Sequence, residues 1–190
     1  MYFIPLKSRE KIPYVWWHDV FSPEELDKLQ EAAANASQEA TVAHDVVETS
    51  IRRSKVRWLY PNEEWGWVFK KLAGVIAEAN LKYYGFDITS LEEGIQLTSN
   101  DANDSGTYGW HQDFRGDGTP RKLSLVLQLS EPTEYKGGEL ELLTSKTPIA
   151  IEKERGRITI FPSWTLHQVT PVTEGTRQSL VVWVSGPEFK

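Results

Sequence analysis

The chain has no cysteine and a single methionine. The missing thiols exclude disulfides, zinc–thiolate sites, iron–sulfur clusters and a cysteine nucleophile together. No run of about 18 consecutive apolar residues occurs, so no membrane-spanning helix is expected. The opening MYFIPLKSREKIPYVWW interrupts its apolar start with Lys7, Arg9, Glu10 and Lys11, and no signal-peptide core follows. Basic residues are in deficit: 21 Lys and Arg against 27 Asp and Glu give a net charge of −6, which argues against a general nucleic-acid binder. These exclusions leave a soluble, cytoplasmic protein as the expectation. Histidine is scarce too, with only four in the chain, so where each one falls matters.

Aromatic residues are plentiful. Eight tryptophans and 39% apolar residues are enough to build a real core and an aromatic-walled pocket, and 190 residues suit one domain. The first half reads mainly as helix. In FSPEELDKLQEAAANAS, Ser22 is placed to cap a helix over about residues 23–35, with Pro23 at its first position, Glu25 completing a capping box, and Phe21 and Leu26 as a staple. Asn62 would cap a second helix in which Trp65, Phe69, Leu72, Val75, Ile76 and Ala79 share a face, with Gly85 at its end. Between them a loop or hairpin leads into a strand near residues 53–59. From residue 93 the period changes to two. GIQLTSN, TYGWHQ, RKLSLVLQLS, GELELL, PIAIE, GRITIFPS, HQVTPV and RQSLVVWV read as eight short strands, which implies a sandwich, jelly roll or small barrel. The helices would pad one outer face.

YGWHQD places His111 and Asp113 two residues apart, on one face of an extended strand. A second histidine, His167, follows the apolar run GRITIF. Two imidazoles and one carboxylate form the facial donor set of non-haem Fe(II) oxygenases, with positions left open for a cosubstrate and dioxygen. A zinc hydrolase uses the same ligand types, but no HExxH helix supplies its base. Arg177 and Ser179 share a face of RQSLVVWV, and an arginine inside a β-barrel needs an anion; its planar fork suits a carboxylate. The pattern therefore points to a site for a cation and a dicarboxylate.

With these residues in place, YGWHQD, LSLVLQLSEPTEYKGGELEL and FPSWTLHQVTPVTEGTRQSL resemble the Fe(II)/2-oxoglutarate-dependent dioxygenases, and within them the prolyl-4-hydroxylase-like, PKHD-type group. The resemblance covers about residues 93–186. It implies a mainly β fold with α-helices: a double-stranded β-helix (jelly-roll) core at 93–186, with residues 1–92 as N-terminal helical support and substrate rim. It implies Fe(II) on His111, Asp113 and His167, and 2-oxoglutarate with its distal carboxylate on Arg177 and Ser179. Tyr108 and Gln128 fall at cosubstrate-contacting positions, Val169 and Trp183 at the pocket wall, and ascorbate is the expected reductant. The implied reaction is hydroxylation of an unactivated C–H bond by dioxygen, releasing succinate and CO2, with a prolyl residue in a protein or peptide as the leading substrate.

One departure is visible: TSNDANDSGTYGWH is looser than the RYxPG run before the first ligand in related hydroxylases, and Asn100 stands near the missing tyrosine. The alternatives are a small-molecule or free amino-acid hydroxylase with the same site, and a non-catalytic jelly-roll binding module. His18 and His44 read as structural or surface residues. The charges of RRSKVR read as the wet face of a strand, and residues 37–57 with the loop DFRGDGTPRK read as the substrate rim.

Overall fold

Successive side chains of a strand point to opposite faces, so a strand covered on both sides must satisfy two different environments. The computed structural model describes residues 12–41, 48, 50–91, 93–114 and 119–188. Its strands are β1 (Val15–Trp17), β2 (Gln38–Glu39), β3 (Arg52–Arg53), β4 (Lys55–Leu59), β5 (Ile95–Asp101), β6 (Thr107–His111), β7 (Arg121–Gln128), β8 (Tyr135–Gly137), β9 (Leu140–Leu143), β10 (Ile149–Ala150), β11 (Ile158–Pro162), β12 (Leu166–Val169) and β13 (Val172–Ser185). The helices are α1 (Pro23–Ala34) and α2 (Gly66–Ala79). The larger antiparallel sheet runs β1-β11-β7-β13-β5-β4-β2, with β8 also on β13; the smaller runs β10-β9-β12-β6-β3. The two sheets form the expected jelly roll.

Period-two alternation separates the two faces of the large sheet. Leu123, Leu125 and Leu127 of β7, Ile158 and Ile160 of β11, and Leu180 and Val182 of β13 join Leu29, Leu72 and Ile76 of the helices in one core. Each such side chain contributes about 1.5–3 kcal/mol on burial. The alternate residues Val126 and Phe161 meet Leu140 and Leu142 of the small sheet in a second cluster. The helices therefore cover one face, and the other face is free to line a cavity.

The capping box of α1 forms as read. Glu25 N donates to Ser22 Oγ at 3.3 Å, and Ser22 N donates to Glu25 Oε2 at 2.8 Å. Helix α2 starts later than Asn62. Its N-cap is Trp65, which has no capping side chain, while Asn62 Oδ1 instead accepts from Trp65 N in the preceding turn. A π-helical turn at Asn80–Tyr84 follows α2 and ends on Gly85 at φ 65°, the left-handed conformation that glycine adopts without strain. All eight expected strands are present. Outside the expected set, β8 pairs with β13, and β1 pairs with β11 before the first helix.

Two bulges redirect site residues. Register between β12 and β6 advances two residues on one strand and three on the other, between the pairs His167–His111 and Val169–Tyr108. Tyr108 and His111, three apart, are thereby brought together on one side of the strand. On β7, Lys122 is the extra residue between the pairs Ser185–Arg121 and Val184–Leu123. That insertion turns Arg121 to the side of Ser124, toward Asp113. His44, and the parts of the two expected rim segments at 42–47, 49 and 115–118, lie outside the described residues.

Candidate iron and 2-oxoglutarate site

Residues from three parts of the chain converge where the sheets face each other. His111 ends β6, Asp113 follows it, and His167 lies on β12 directly opposite His111 in the ladder. Asp113 is fixed by its own backbone, because both Asp113 N and Phe114 N donate to Ser163 O, at 2.9 and 3.0 Å. One ligand atom from each of the three residues lies within 4.8 Å of the others.

The tautomers follow from the partners. His111 Nδ1 lies 2.8 Å from Gly109 O and His167 Nδ1 lies 2.9 Å from Thr165 O. A carbonyl can only accept, so each Nδ1 carries the proton and each Nε2 keeps its lone pair. Those Nε2 atoms point at the carboxylate: His111 Nε2 is 3.7 Å from Asp113 Oδ1, and His167 Nε2 is 3.4 Å from Asp113 Oδ2. Burial, reinforced by the neighbouring His167, pulls His111 down to about 4, so this ring is neutral at pH 7 and its approach to Asp113 is no ion pair. Burial pushes Asp113 upward, but the two imidazoles, the Ser124 hydroxyl and Arg121 outweigh it and hold the carboxyl at about 2. Ser124 Oγ donates to Asp113 Oδ2 at 2.7 Å. An anionic oxygen and two oriented imidazole lone pairs, each held by an outer partner, fit a divalent cation such as iron(II).

Arg177 shares the cavity with these donors and is fully buried. Its NH1 donates to Ser179 Oγ at 3.1 Å and its NH2 to Gln128 Oε1 at 3.0 Å, while Nε meets no acceptor. No carboxylate among the described residues is ion-paired with it, and desolvation pushes its pKa down, opposed by Tyr135 and Glu139. An unpaired guanidinium buried like this is costly unless an anion arrives. Val169 and Trp183 line the same cavity, and the Tyr108 ring stacks on His111 with centroids 3.4 Å apart. Each of the nine residues expected to hold the metal, bind the cosubstrate or wall the pocket lies at or beside one cavity. Gln128 touches it through Arg177.

The sequence reading missed four contributors. Arg121 stacks on Trp183 at 3.9 Å, pairs with Glu93 and approaches Asp113 to 4.0 Å. Ser124 anchors Asp113, and Asn100, noted only as a departure, is buried in the cavity wall. The fourth is Arg52, and it corrects the reading of RRSKVR. Arg53 and Lys55 do lie on the wet face, but Arg52, Ser54 and Val56 are buried. The signal was available: the inward set Arg-x-Ser-x-Val recurs at Arg177, Ser179 and Val181. His18 is a surface-side residue, 3.2 Å from Glu154 and edge-on to the Trp16 ring.

Residues 95–185 match the 2OG-Fe(II) oxygenase superfamily. A PKHD-type hydroxylase of Prochlorococcus marinus is 38% identical over 107 residues, 56% of this chain and 48% of the relative; the chain spans about half or less of the length of the curated relatives it matches. Among solved structures, a Trichoplax adhaerens prolyl hydroxylase in complex with a hypoxia-inducible-factor oxygen-degradation-domain peptide superposes with a TM-score of 0.78 at 16% identity, over 92% of this chain and 84% of that one. A Pseudomonas putida prolyl-4-hydroxylase gives 0.71 at 19% identity, over 93% and 94%. At these identities the structural likeness concerns the fold.

Proposed function

We propose that this protein, whose residues 95–185 match the 2OG-Fe(II) oxygenase superfamily, is an iron(II)- and 2-oxoglutarate-dependent dioxygenase that hydroxylates an unactivated C–H bond, with a prolyl residue of a protein or peptide as its substrate. The names of its relatives, a PKHD-type hydroxylase and prolyl hydroxylases, support that substrate class. One observation carries the reading: a cavity in which two imidazole lone pairs and a carboxylate converge also holds a buried guanidinium with no carboxylate ion-paired to it among the described residues.

In this reading His111, Asp113 and His167 hold the iron, with Ser124 and the carbonyls of Gly109 and Thr165 keeping the three donors aimed. Bound there, iron(II) supplies the dioxygen chemistry that couples decarboxylation of 2-oxoglutarate, to succinate and CO2, with oxygen insertion into the C–H bond. Arg177, oriented by Ser179 and Gln128, takes the distal carboxylate of 2-oxoglutarate. Tyr108, Val169 and Trp183 wall the cavity and keep water from it. Residues 93–186 act as the catalytic core and 1–92 as its support and rim, within one domain. Ascorbate is the reductant expected to keep the metal ferrous.

A peptide suits the entrance better than a free amino acid. Outside the triad lies a cleft of about 560 Å³ whose walls include Trp58, Trp110 and Phe114, and the last two present large exposed rings. The test incubates the protein with Fe(II), ascorbate, 2-oxoglutarate and proline-containing peptides. Succinate release and a peptide mass gain of one oxygen are expected. His111→Ala should remove both along with tight metal binding, whereas a wild-type protein that binds neither metal nor 2-oxoglutarate is the non-catalytic binding module instead.

A further inference from the structure

The cavity contains a second guanidinium that the cosubstrate does not use. Arg52 on β3 is buried, lines both the inner cavity and the entrance cleft, and is held by the same construction as Arg177. Its Nε donates to Ser54 Oγ, two residues on, at 3.0 Å; its NH2 donates to Gln96 Oε1 on a nearby strand at 2.6 Å; its NH1 donates to Thr41 O at 3.0 Å. In Arg177 the serine two residues on and a glutamine from a paired strand play the same parts. All three of these acceptors of Arg52 are neutral, the terminal nitrogens have further N–H capacity, and no carboxylate among the described residues is ion-paired with it.

Charge makes the point sharper. Iron(II), Asp113 and doubly ionised 2-oxoglutarate together carry one negative charge, which Arg177 cancels. Arg121 is already matched by Glu93. Among the described residues Arg52 is then the cavity cation left without a carboxylate ion-paired to it: Tyr108 and Asp113 favour its charge, but Asp113 is committed to the metal. A desolvated charge of this kind is costly unless paired. The guanidinium also lies over the Tyr108 ring, at 4.6 Å, and that ring stacks on His111. An anion held by Arg52 would therefore sit beside the reacting centre.

We propose that Arg52 is a specificity-determining residue that binds a carboxylate of the substrate, so that the protein hydroxylates a residue that either bears a free carboxylate or stands next to an acidic side chain. The inference rests on the functional reading above, since it takes iron and 2-oxoglutarate as the occupants of the inner cavity. Serine and glutamine pre-orient the fork, as they do in Arg177, and the placement at the cleft mouth makes it reachable from outside.

The test uses the full chain loaded with Mn(II) and 2-oxoglutarate, and reads binding by calorimetry. Four probes form two matched pairs: N-acetyl-L-proline against N-acetyl-L-prolinamide, and the peptide Ac-Ala-Pro-Glu-Ala-NH2 against its Gln counterpart. The carboxylate member of at least one pair should bind about tenfold or more tightly than its amide, the scale of one charge-assisted hydrogen bond. The pair that discriminates tells whether the carboxylate belongs to the reacting residue or to its neighbour. Arg52→Gln, checked for cooperative thermal unfolding, should erase the preference, and Arg52→Lys should retain part of it. Should Arg52→Gln fail to fold, the wild-type ratios and the Lys variant decide. Equal binding of acid and amide in both pairs, preference that survives Arg52→Gln, or no binding of any probe by a protein that does take up 2-oxoglutarate overturns the proposal. Failure to take up 2-oxoglutarate overturns the functional reading beneath it.

Discussion

Arg177 and Arg52 are built from the same local pattern, an arginine with a serine two residues on and a glutamine from a nearby strand, yet they stand on very different supports. Arg177 lies on β13, the strand that β5 and β7 flank in the middle of the large sheet, and its fork is completely buried. Arg52 lies on the two-residue strand β3 at the edge of the small sheet, next to the loop that supplies Thr41 O. In the proposed function this placement divides constancy from choice. A cosubstrate that never changes suits a clamp held by a sheet's centre, whereas a variable substrate suits one at a sheet's edge, where loops can remodel it.

Removing the inner fork has the largest expected effect. Arg177→Gln should weaken 2-oxoglutarate binding by about 100-fold or more, because a buried charged contact is worth about 2–5 kcal/mol when one partner is truncated. Arg52→Gln should weaken it far less. Calorimetry with Mn(II) in place of iron compares the two directly; equal losses would mean that both forks grip the same ligand. The glutamines give the next effect. Gln128→Leu leaves Arg177 NH2 without an acceptor and should cost about 1–3 kcal/mol in cosubstrate binding or stability, while Gln96→Leu should be felt in substrate binding instead. Smaller still are Ser179→Ala and Ser54→Ala, at about 1 kcal/mol each, sorted the same way between cosubstrate and substrate affinity.

The two clamps were unequally legible in the sequence, and the reason is physical. Arg177 stands in RQSLVVWV, where long apolar neighbours declare a buried strand, so its charge was conspicuous. Arg52 stands in RRSKVR, where Arg53 and Lys55 are solvent-facing and hide the one arginine that turns inward. Alternation located the eight strands and their faces because hydrophobic burial enforces a period of two. It could not locate the bulges. Tyr108 and His111 share a side only because β6 gains a residue against β12, and Arg121 reaches Asp113 only because Lys122 is extra in β7. Such insertions cost no apolar residue and leave no trace in composition. Strand β8 was not among the expected strands because it is only three residues long and ends on Gly137, yet it pairs with β13 and carries Tyr135 to within electrostatic reach of Arg177.

The faintest asymmetry between the clamps concerns the acid behind each. Glu139 stands close enough to Arg177 to favour its charge, while its own Oε1 is bound by Lys153 Nζ at 2.8 Å. Burial raises the Glu139 carboxyl, but Lys153 and Thr170 outweigh it and bring it to about 2, below its ordinary value of 4.5. A depressed carboxyl stabilises the folded state at pH values above about 4.5, and that contribution fades as the pH falls toward 2. The group is partly exposed, so solvent screening limits the effect to about 0.5–1 kcal/mol. Glu139→Gln should therefore lower the urea midpoint modestly at pH 7, and the gap to wild type should narrow steadily between pH 4.5 and 3. A gap that stays constant across that range would assign the loss to packing rather than charge. The Ser54 hydroxyl does not titrate, so the stability deficit of Ser54→Ala should not vary over the same interval.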